Sequence, residues 1–329
     1  MILVTGCLGF IGSHLICDLI TLESQCVIGL DKVTSSSCSR VQKQRLNHLN
    51  SKLADQKKNH LFIYKKIDLS FEKQKLDKLF NEYKIKKVVH LAASTGVIES
   101  TKKSDHYIKN NINGFQNIIE KCKDYKIEHF FYASSSSIYD ENNVSSFSCE
   151  SDPSDYPKSI YAFTKKTNEL LAYTYSHLYN LNTTGLRFFS VYGPFGREDM
   201  SYYKFTSAIL NSEKIYLYNN GENLRDFTYI KDVTSAIIKL LFSESKKNKV
   251  FNIGYGKQIK ITQLLEKLET LINKKANITY LPALKEESFK TGANNRKIRK
   301  EMKIEFSTSI DVGLKKFVDW YSKYHNGTF

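Results

Sequence analysis

Arginine is scarce in this chain. There are seven, Arg40, Arg45, Arg187, Arg197, Arg225, Arg296 and Arg299, and lysine supplies the rest of the 49 basic residues. The formal charge of +15 therefore rests on lysines scattered among Asn, Ile and Tyr. Nucleic-acid binding shows as Lys and Arg gathered on one face or stripe. Aromatic residues reach 13%, but they do not interleave with basic ones as in single-strand binders. No nucleic-acid partner is expected, although a positive field would draw an anionic substrate. Paired or metal-ligand spacing is also missing among the six cysteines, Cys7, Cys17, Cys26, Cys38, Cys122 and Cys149. That argues against a disulfide framework and suits reduced thiols in a cytoplasmic protein. His14, His90, His106 and His129 lack metal spacing too, and no metal is expected. Residues 2–22 come nearest to a long apolar run, but Gly6, Gly9, Gly12, His14 and Asp18 interrupt it and no basic leader precedes it. A strand, tight loop and helix are expected there, not a signal peptide or membrane span. No repeat or low-complexity tract is visible. With 329 residues, 41% of them hydrophobic and 25% charged, the chain suits one large α/β unit or two intimate domains.

What is present begins at the N-terminus. Met1-Ile-Leu-Val-Thr5 reads as an apolar strand, Gly6-Cys-Leu-Gly9-Phe-Ile-Gly12 as a turn, and Ser13 to Leu22 as an amphipathic helix. Glycines at this spacing let a backbone approach a pyrophosphate, whose charge a helix N-terminus stabilises. A second strand, Cys26 to Leu30, ends at Asp31, nineteen residues past Gly12. A carboxylate there accepts ribose hydroxyls and repels a 2′-phosphate, which favours NAD over NADP. Further strands are expected at Leu61 to Tyr64, Lys87 to Leu91 and His129 to Ala133, with helices at Leu76 to Tyr83 and Asn113 to Tyr125. Alternating strands and helices imply an α/β fold, a doubly wound parallel sheet of Rossmann-like type, with the ligand site beyond the strands' carboxyl ends. Gly6, Asp31, Asp68, Ala92 and Ser135 all fall there.

Tyr161-Ala-Phe-Thr-Lys165 places a tyrosine and a lysine on one helix face. The ammonium favours the phenolate, and the tyrosine becomes a candidate base. A serine run, Ser134 to Ser137, lies one strand and loop upstream. Arg187, at a strand end, is expected to pair with a buried acid and is left out of the site. Arg296-Lys-Ile-Arg-Lys300 reads as a solvated helix face.

The chain resembles the extended short-chain dehydrogenase/reductases, within them the nucleotide-sugar epimerases, and most of all bacterial UDP-glucuronate 4-epimerases. The residues behind this are Tyr132-Ala-Ser-Ser-Ser-Ser-Ile-Tyr139, Tyr161 to Leu171, Thr184-Gly-Leu-Arg-Phe-Phe-Ser-Val-Tyr-Gly-Pro194, Gly196-Arg-Glu-Asp-Met200 and Arg225-Asp-Phe-Thr-Tyr-Ile230. The likeness runs from Ile2 to about Tyr321. It implies a Rossmann-like domain over 1–185 and 226–255, a smaller α/β substrate lobe over 186–225 and 256–329, tightly bound NAD, a UDP-sugar substrate and a homodimer. It implies Ser135, Tyr161 and Lys165 as catalytic. On the cofactor side it implies Gly6, Gly9, Phe10, Ile11, Gly12, Asp31, Lys32, Asp68, Leu69, Leu91, Ala92, Ala93, Asn111 and Phe189, besides Tyr161 and Lys165. On the substrate side it implies Thr95, Ser135, Ser136, Ser137, Ser190, Arg197 and Arg225, with Arg225 on the diphosphate and Arg197 on a uronate.

The implied reaction is transient oxidation at the sugar C4, rotation of the 4-keto sugar and hydride return. Dehydrating and decarboxylating relatives carry an acid where Ser136 and Ser137 stand here. The C5 carboxylate of a uronate should therefore be retained. Three departures stand out: Asp140 replaces the usual glycine, Thr95-Gly-Val-Ile-Glu-Ser100 lacks a usual arginine, and Ala293-Asn294 replaces an Ala-Asp pair. UDP-glucose and UDP-N-acetylglucosamine remain alternative substrates, and a non-catalytic NAD-binding sensor is the alternative of another class. No membrane partner is expected.

Overall fold

The computed structural model describes residues 1–32, 40–139, 147–244, 247–283 and 288–325. Cys38 and Asp140 lie outside the described residues. The strands in chain order are β1 (Ile2–Thr5), β2 (Val27–Asp31), β3 (Phe62–Lys66), β4 (Lys87–His90), β5 (His129–Ser135), β6 (Thr183–Phe188), β7 (Ser190–Tyr192), β8 (Lys214–Tyr218), β9 (Leu224–Tyr229), β10 (Lys249–Ile253), β11 (Gln258–Lys260) and β12 (Asn277–Leu281). Seven of them form one sheet of order β10-β6-β5-β4-β1-β2-β3. Strands β1 to β6 pair in parallel. A parallel sheet with helices on its faces is covered on both sides, so its strands read as near-continuous apolar runs. β1 and the first four residues of β2 are buried throughout. The order reverses at β1, where the chain steps first to β2 and β3 and later to β4 and β5. This is the switch point at which a doubly wound fold opens a ligand crevice.

The first seven α-helices are α1 (Phe10–Thr21), α2 (Arg40–Asp55), α3 (Lys73–Glu82), α4 (Val97–Lys102), α5 (Ser104–Ile108), α6 (Gly114–Asp124) and α7 (Ile160–Tyr179). α1 starts three residues earlier than the glycine spacing predicts. Gly12 thus lies inside the helix, because a Cβ there would stand 2.2 Å from the Gly6 carbonyl oxygen. A single π-turn, Lys109–Asn113, joins α5 to α6. The core cluster of the sheet gathers Leu3, Ile28, Val88 and Phe130 from the strands with Leu76, Phe115, Ile118 and Ala172 from the helices.

The chain divides into two units. The first is 1–140, 154–188 and 234–251; the second is 141–153, 189–233 and 252–329. The chain returns to the first unit at Thr234 and not at 226, because β9 pairs with β7 and β11 in a three-stranded sheet of the second unit. That unit also holds the parallel pair β8 and β12. Its core is aromatic: Tyr202 and Phe317 meet edge to face at 4.9 Å, and Phe195 packs on Trp320 at the same distance. The helix Arg296–Met302 has Arg296, Arg299 and Lys300 exposed and Ile298 buried, which is the solvated face read from the sequence. Among the described residues no helix is long and apolar enough to cross a membrane.

Candidate active site

The loop after β1 is built for close approach. Gly6 takes φ +71°, and a Cβ there would lie 2.7 Å from the Ala92 nitrogen. α1 follows with Gly9 as its N-cap and no side chain capping it. The first amides of a helix are orphan donors and carry the positive end of its dipole. Asp31 ends β2 beside them. One carboxylate oxygen accepts the Leu8 N–H at 2.8 Å and the other accepts the Lys32 N–H at 2.8 Å. Loss of hydration raises its pKa, against those two bonds and the charges of Lys32 and Arg45. Each oxygen keeps a lone pair for a ribose hydroxyl. The uncapped helix, the glycine cradle and a carboxylate that opposes a 2′-phosphate fit NAD.

The neighbouring strand ends carry more of the expected cofactor side. Asp68 accepts the Ser70 N–H and pairs with Lys32 at 3.2 Å. Leu69 is buried, and its carbonyl accepts from Asn117. Leu91, Ala92 and Ala93 are half-buried after β4. Asn111, on the π-turn, does not offer a loose amide. Its oxygen accepts the Ser94 N–H, and its nitrogen donates to the Ser94 carbonyl and to Thr164 Oγ1. It clamps the strip that follows β4. Phe10 is buried and Ile11 half-buried at the start of α1.

β5 delivers the serines. Ser135 is buried, and its Oγ accepts from both the N–H and the hydroxyl of Ser137, at 3.2 and 2.9 Å. With two donors already placed, the Ser135 hydroxyl proton is directed elsewhere. Ser136 and Ser137 are half-buried in the 3-10 turn that follows. α7 starts at Ser159, whose side chain caps it by accepting the Ala162 N–H. Tyr161 lies in its first turn, half-buried, with its N–H donated to Ser100 and its ring edge-to-face with Tyr107 at 6.4 Å. One turn on, Lys165 is 3% exposed and donates to the Ala133 carbonyl at 2.9 Å. Its Nζ lies 5.8 Å from the centre of the Tyr161 ring. Burial pulls the Lys165 pKa down to about 8. A desolvated ammonium beside a phenol acts in a low dielectric, where it favours phenolate more strongly than in water.

Thr95 is exposed, and its carbonyl accepts from Tyr107. Ile98, in the segment Thr95 to Ser100 that was expected to carry an arginine, is 44% exposed on α4, and Glu99 pairs with Lys103. In the second unit, Ser190 is half-buried in β7 and Phe189 is buried. Arg197 is held by Asp199, with Nε 2.9 Å from one oxygen and Nη2 on the other. Arg225 donates to the Leu224 and Phe289 carbonyls.

Two groups have no clear sequence signal. Asp226, fully buried, accepts the N–H groups of Tyr255, Gly256 and Ala293, tying three segments beside Arg225. Burial raises its pKa to about 6. Glu169 pairs with Arg187, the buried acid expected for that arginine.

A model of the family described as NAD dependent epimerase/dehydratase matches residues 2–254. The chain is 40% identical over 341 residues to Protein CapI of Staphylococcus aureus, covering 98% of this chain and 99% of that one. It is 38% identical over 319 residues to the UDP-glucuronate 4-epimerase of Thermodesulfobacterium geofontis, covering 97% and 95%. The crystal structure of UDP-glucuronic acid 4-epimerase from Bacillus cereus in complex with UDP-glucuronic acid and NAD matches with a TM-score of 0.88 at 29% identity, over 98% of this chain and 99% of that one.

Proposed function

Because the chain belongs to the NAD dependent epimerase/dehydratase family, we propose that it is a UDP-sugar 4-epimerase whose substrate is UDP-glucuronate and whose product is UDP-galacturonate. The observation that carries this is the trio on β5 and α7: a buried lysine beside a tyrosine on one helix face, and a serine whose Oγ accepts twice from Ser137. The similarity to two UDP-glucuronate 4-epimerases supports the substrate.

In this reading Gly6, Gly9, Phe10, Ile11 and Gly12 hold the NAD diphosphate, and Asp31 and Lys32 the adenosine ribose. Asp68 and Leu69 flank the adenine, and Leu91 to Ala93, Asn111 and Phe189 the rest of the cofactor. NAD, when bound, supplies a hydride acceptor. Tyr161 takes the proton of the sugar 4-hydroxyl, with Ser135 donating to that oxygen, and later returns it to the opposite configuration. Lys165 keeps Tyr161 acidic enough to do so. Ser136, Ser137, Ser190 and Thr95 offer uncharged contacts to the hexose, and no acid at 136 or 137 expels a group from it. Arg197 faces the uronate, and Arg225 grips the diphosphate while the hexose turns, for which a guanidinium's paired donors suit.

Exposed Leu170, Tyr173 and Leu178 on α7 support a homodimer through α6 and α7. A cytoplasmic location and a role in polysaccharide or surface-glycan synthesis complete the proposal. One feature favours a second substrate, UDP-glucose or UDP-N-acetylglucosamine: Ile98 offers no charge to a carboxylate. Incubation of the NAD-loaded protein with UDP-glucuronate, followed by NMR of the anomeric protons, tests both. UDP-galacturonate without CO₂ is expected. Unchanged UDP-glucuronate alongside epimerised UDP-glucose would move the substrate to the second reading.

A further inference from the structure

Beneath the serine run lies a buried ion pair that the chemistry above does not use. Glu169, 8% exposed, and Arg187, 6%, form a two-pronged pair: Arg187 Nε donates to one carboxylate oxygen at 2.9 Å and Nη2 to the other at 2.8 Å. Burial opposes the arginine's charge, but the hydrogen bond and charge of Glu169 raise its pKa overall. The Ser134 hydroxyl donates to Glu169 at 2.5 Å. The Arg187 Nη1 donates to the Tyr139 hydroxyl at 2.8 Å, and the guanidinium lies 4.9 Å from the centre of that ring. The run from Ser134 to Tyr139 is therefore pinned at both ends to one pair.

The placement on α7 gives this weight. Residues 161, 165 and 169 are one turn apart and share a face. Lys165 holds the Ala133 carbonyl, and Glu169 holds the side chain of the next residue, Ser134. Arg187 stands opposite Ser134 in the β5–β6 register. Thus the helix that presents Tyr161 is keyed to the strand that presents Ser135 at two successive residues. A well-packed apolar pair in place of a buried ion pair is often as stable or more so. Stability alone does not account for keeping one under the catalytic loop.

We propose that Glu169 and Arg187 are positioning residues: together they set the register between Ser135 and the Tyr161–Lys165 face of α7. This rests on the epimerase reading. A displacement of about 1 Å between reacting groups costs on the order of 10²-fold in rate.

The test is the double substitution Glu169→Met with Arg187→Met, which leaves no charge buried alone. The readouts are thermal midpoint, retained NAD, kcat and KM. The expected result is a folded, NAD-bearing protein with KM within about twofold of wild type and kcat lower by about 10²-fold. A folded double variant with kcat within about threefold of wild type overturns the proposal. Ser134→Ala and Tyr139→Phe keep it open to refutation if the double variant does not fold, since each removes one pin and leaves the ion pair. Each should lower kcat about three- to tenfold with KM unchanged, and unchanged kcat in both overturns the proposal. Wild-type turnover is measured alongside. Loss of the functional reading would show there, and loss of this proposal only in the ratio of variant to wild type.

Discussion

The candidate site charges of the first unit's α7 and the arginines of the second unit are held in opposite ways. At the carboxyl edge of the first, Lys165, Glu169 and Arg187 are all less than a tenth exposed and fixed by short bonds. In the second, Arg197 is 31% exposed and leans on an acid two residues away, while Arg225 is half-buried against backbone carbonyls. A buried, fully paired group holds its geometry, and a proton transfer needs that. An exposed pair is worth little in stability and is easily exchanged for another partner, and capture of an anionic substrate needs that. Substitutions in the first unit should therefore act on kcat, and those at the second unit's arginines on KM.

Tyr161→Phe is the strongest way to break that division. It removes the hydroxyl that moves the proton in the proposed reaction and leaves the ring packing with Tyr107 in place. kcat should fall at least about 10²-fold with little change in KM or NAD content. Steady-state kinetics beside an assay of bound NAD check this, and unchanged turnover would move the base elsewhere.

Acid sharpens the contrast, because two buried histidines of the first unit and Asp226 of the second respond with opposite sign. In the first, burial lowers His90 and His129 from 6.5 to about 3, with help from the charges of Lys165 and Lys87 respectively. Folded, they stay neutral in that window; unfolded, they take up protons below 6.5. The unfolded state then binds more protons, so stability is lost as the pH drops below 6.5, by about 1.4 kcal/mol per unit for each histidine. In the second unit Asp226 is raised from 3.8 to about 6. Between those values the folded carboxyl holds a proton that the unfolded one has lost, and acid stabilises. Hydrogen exchange below pH 6.5 should show amides of the first unit losing protection before those around Asp226. His129→Gln should make that loss shallower.

The sheet was legible because its strands are apolar runs punctuated by Gly, Asp and Ser at their carboxyl ends. The serine run, Tyr161, Lys165 and Asp31 could be nominated from the sequence because their spacing suggests a mechanism, and the fold sets Lys165 beside Tyr161. What escaped depends on long-range contact. Nothing near Asn111 in the chain shows that its amide is committed to Ser94 and Thr164. Nothing near Asp226 shows the Ala293 N–H, 67 residues on. Arg187 was legible as half of a buried pair, but Glu169 was not, since an acid two turns after Tyr161 looks like any helix-surface residue until the fold buries it. The start of α1 was misplaced because a glycine reads as a turn residue even where, as at Gly12, close packing inside a helix requires it.

Asp226→Asn is a smaller test. An amide nitrogen would face one of the N–H groups that now converge on the carboxylate. The segments beside Arg225 should loosen, and KM for the UDP-sugar should rise about tenfold with kcat largely kept.

Arg197→Ala should have the smallest effect and the most specific one. Its pair with Asp199 is partly exposed, with side chains 31% and 52% accessible, so its loss should move the thermal midpoint little. If the guanidinium leaves Asp199 for the substrate carboxylate, removing it takes away one charge-assisted contact. The substrate then loses about 1–2 kcal/mol of binding, or roughly five- to thirtyfold in KM. That loss should appear with UDP-glucuronate and not with UDP-glucose, which has no carboxylate to bind. Equal rises for both sugars would place Arg197 on the shared diphosphate, and no rise for either would leave it a surface residue. With no arginine in the segment Thr95 to Ser100, Arg197 is the cation on which uronate selectivity in this chain would rest, and the ratio of the two KM changes measures how far it does.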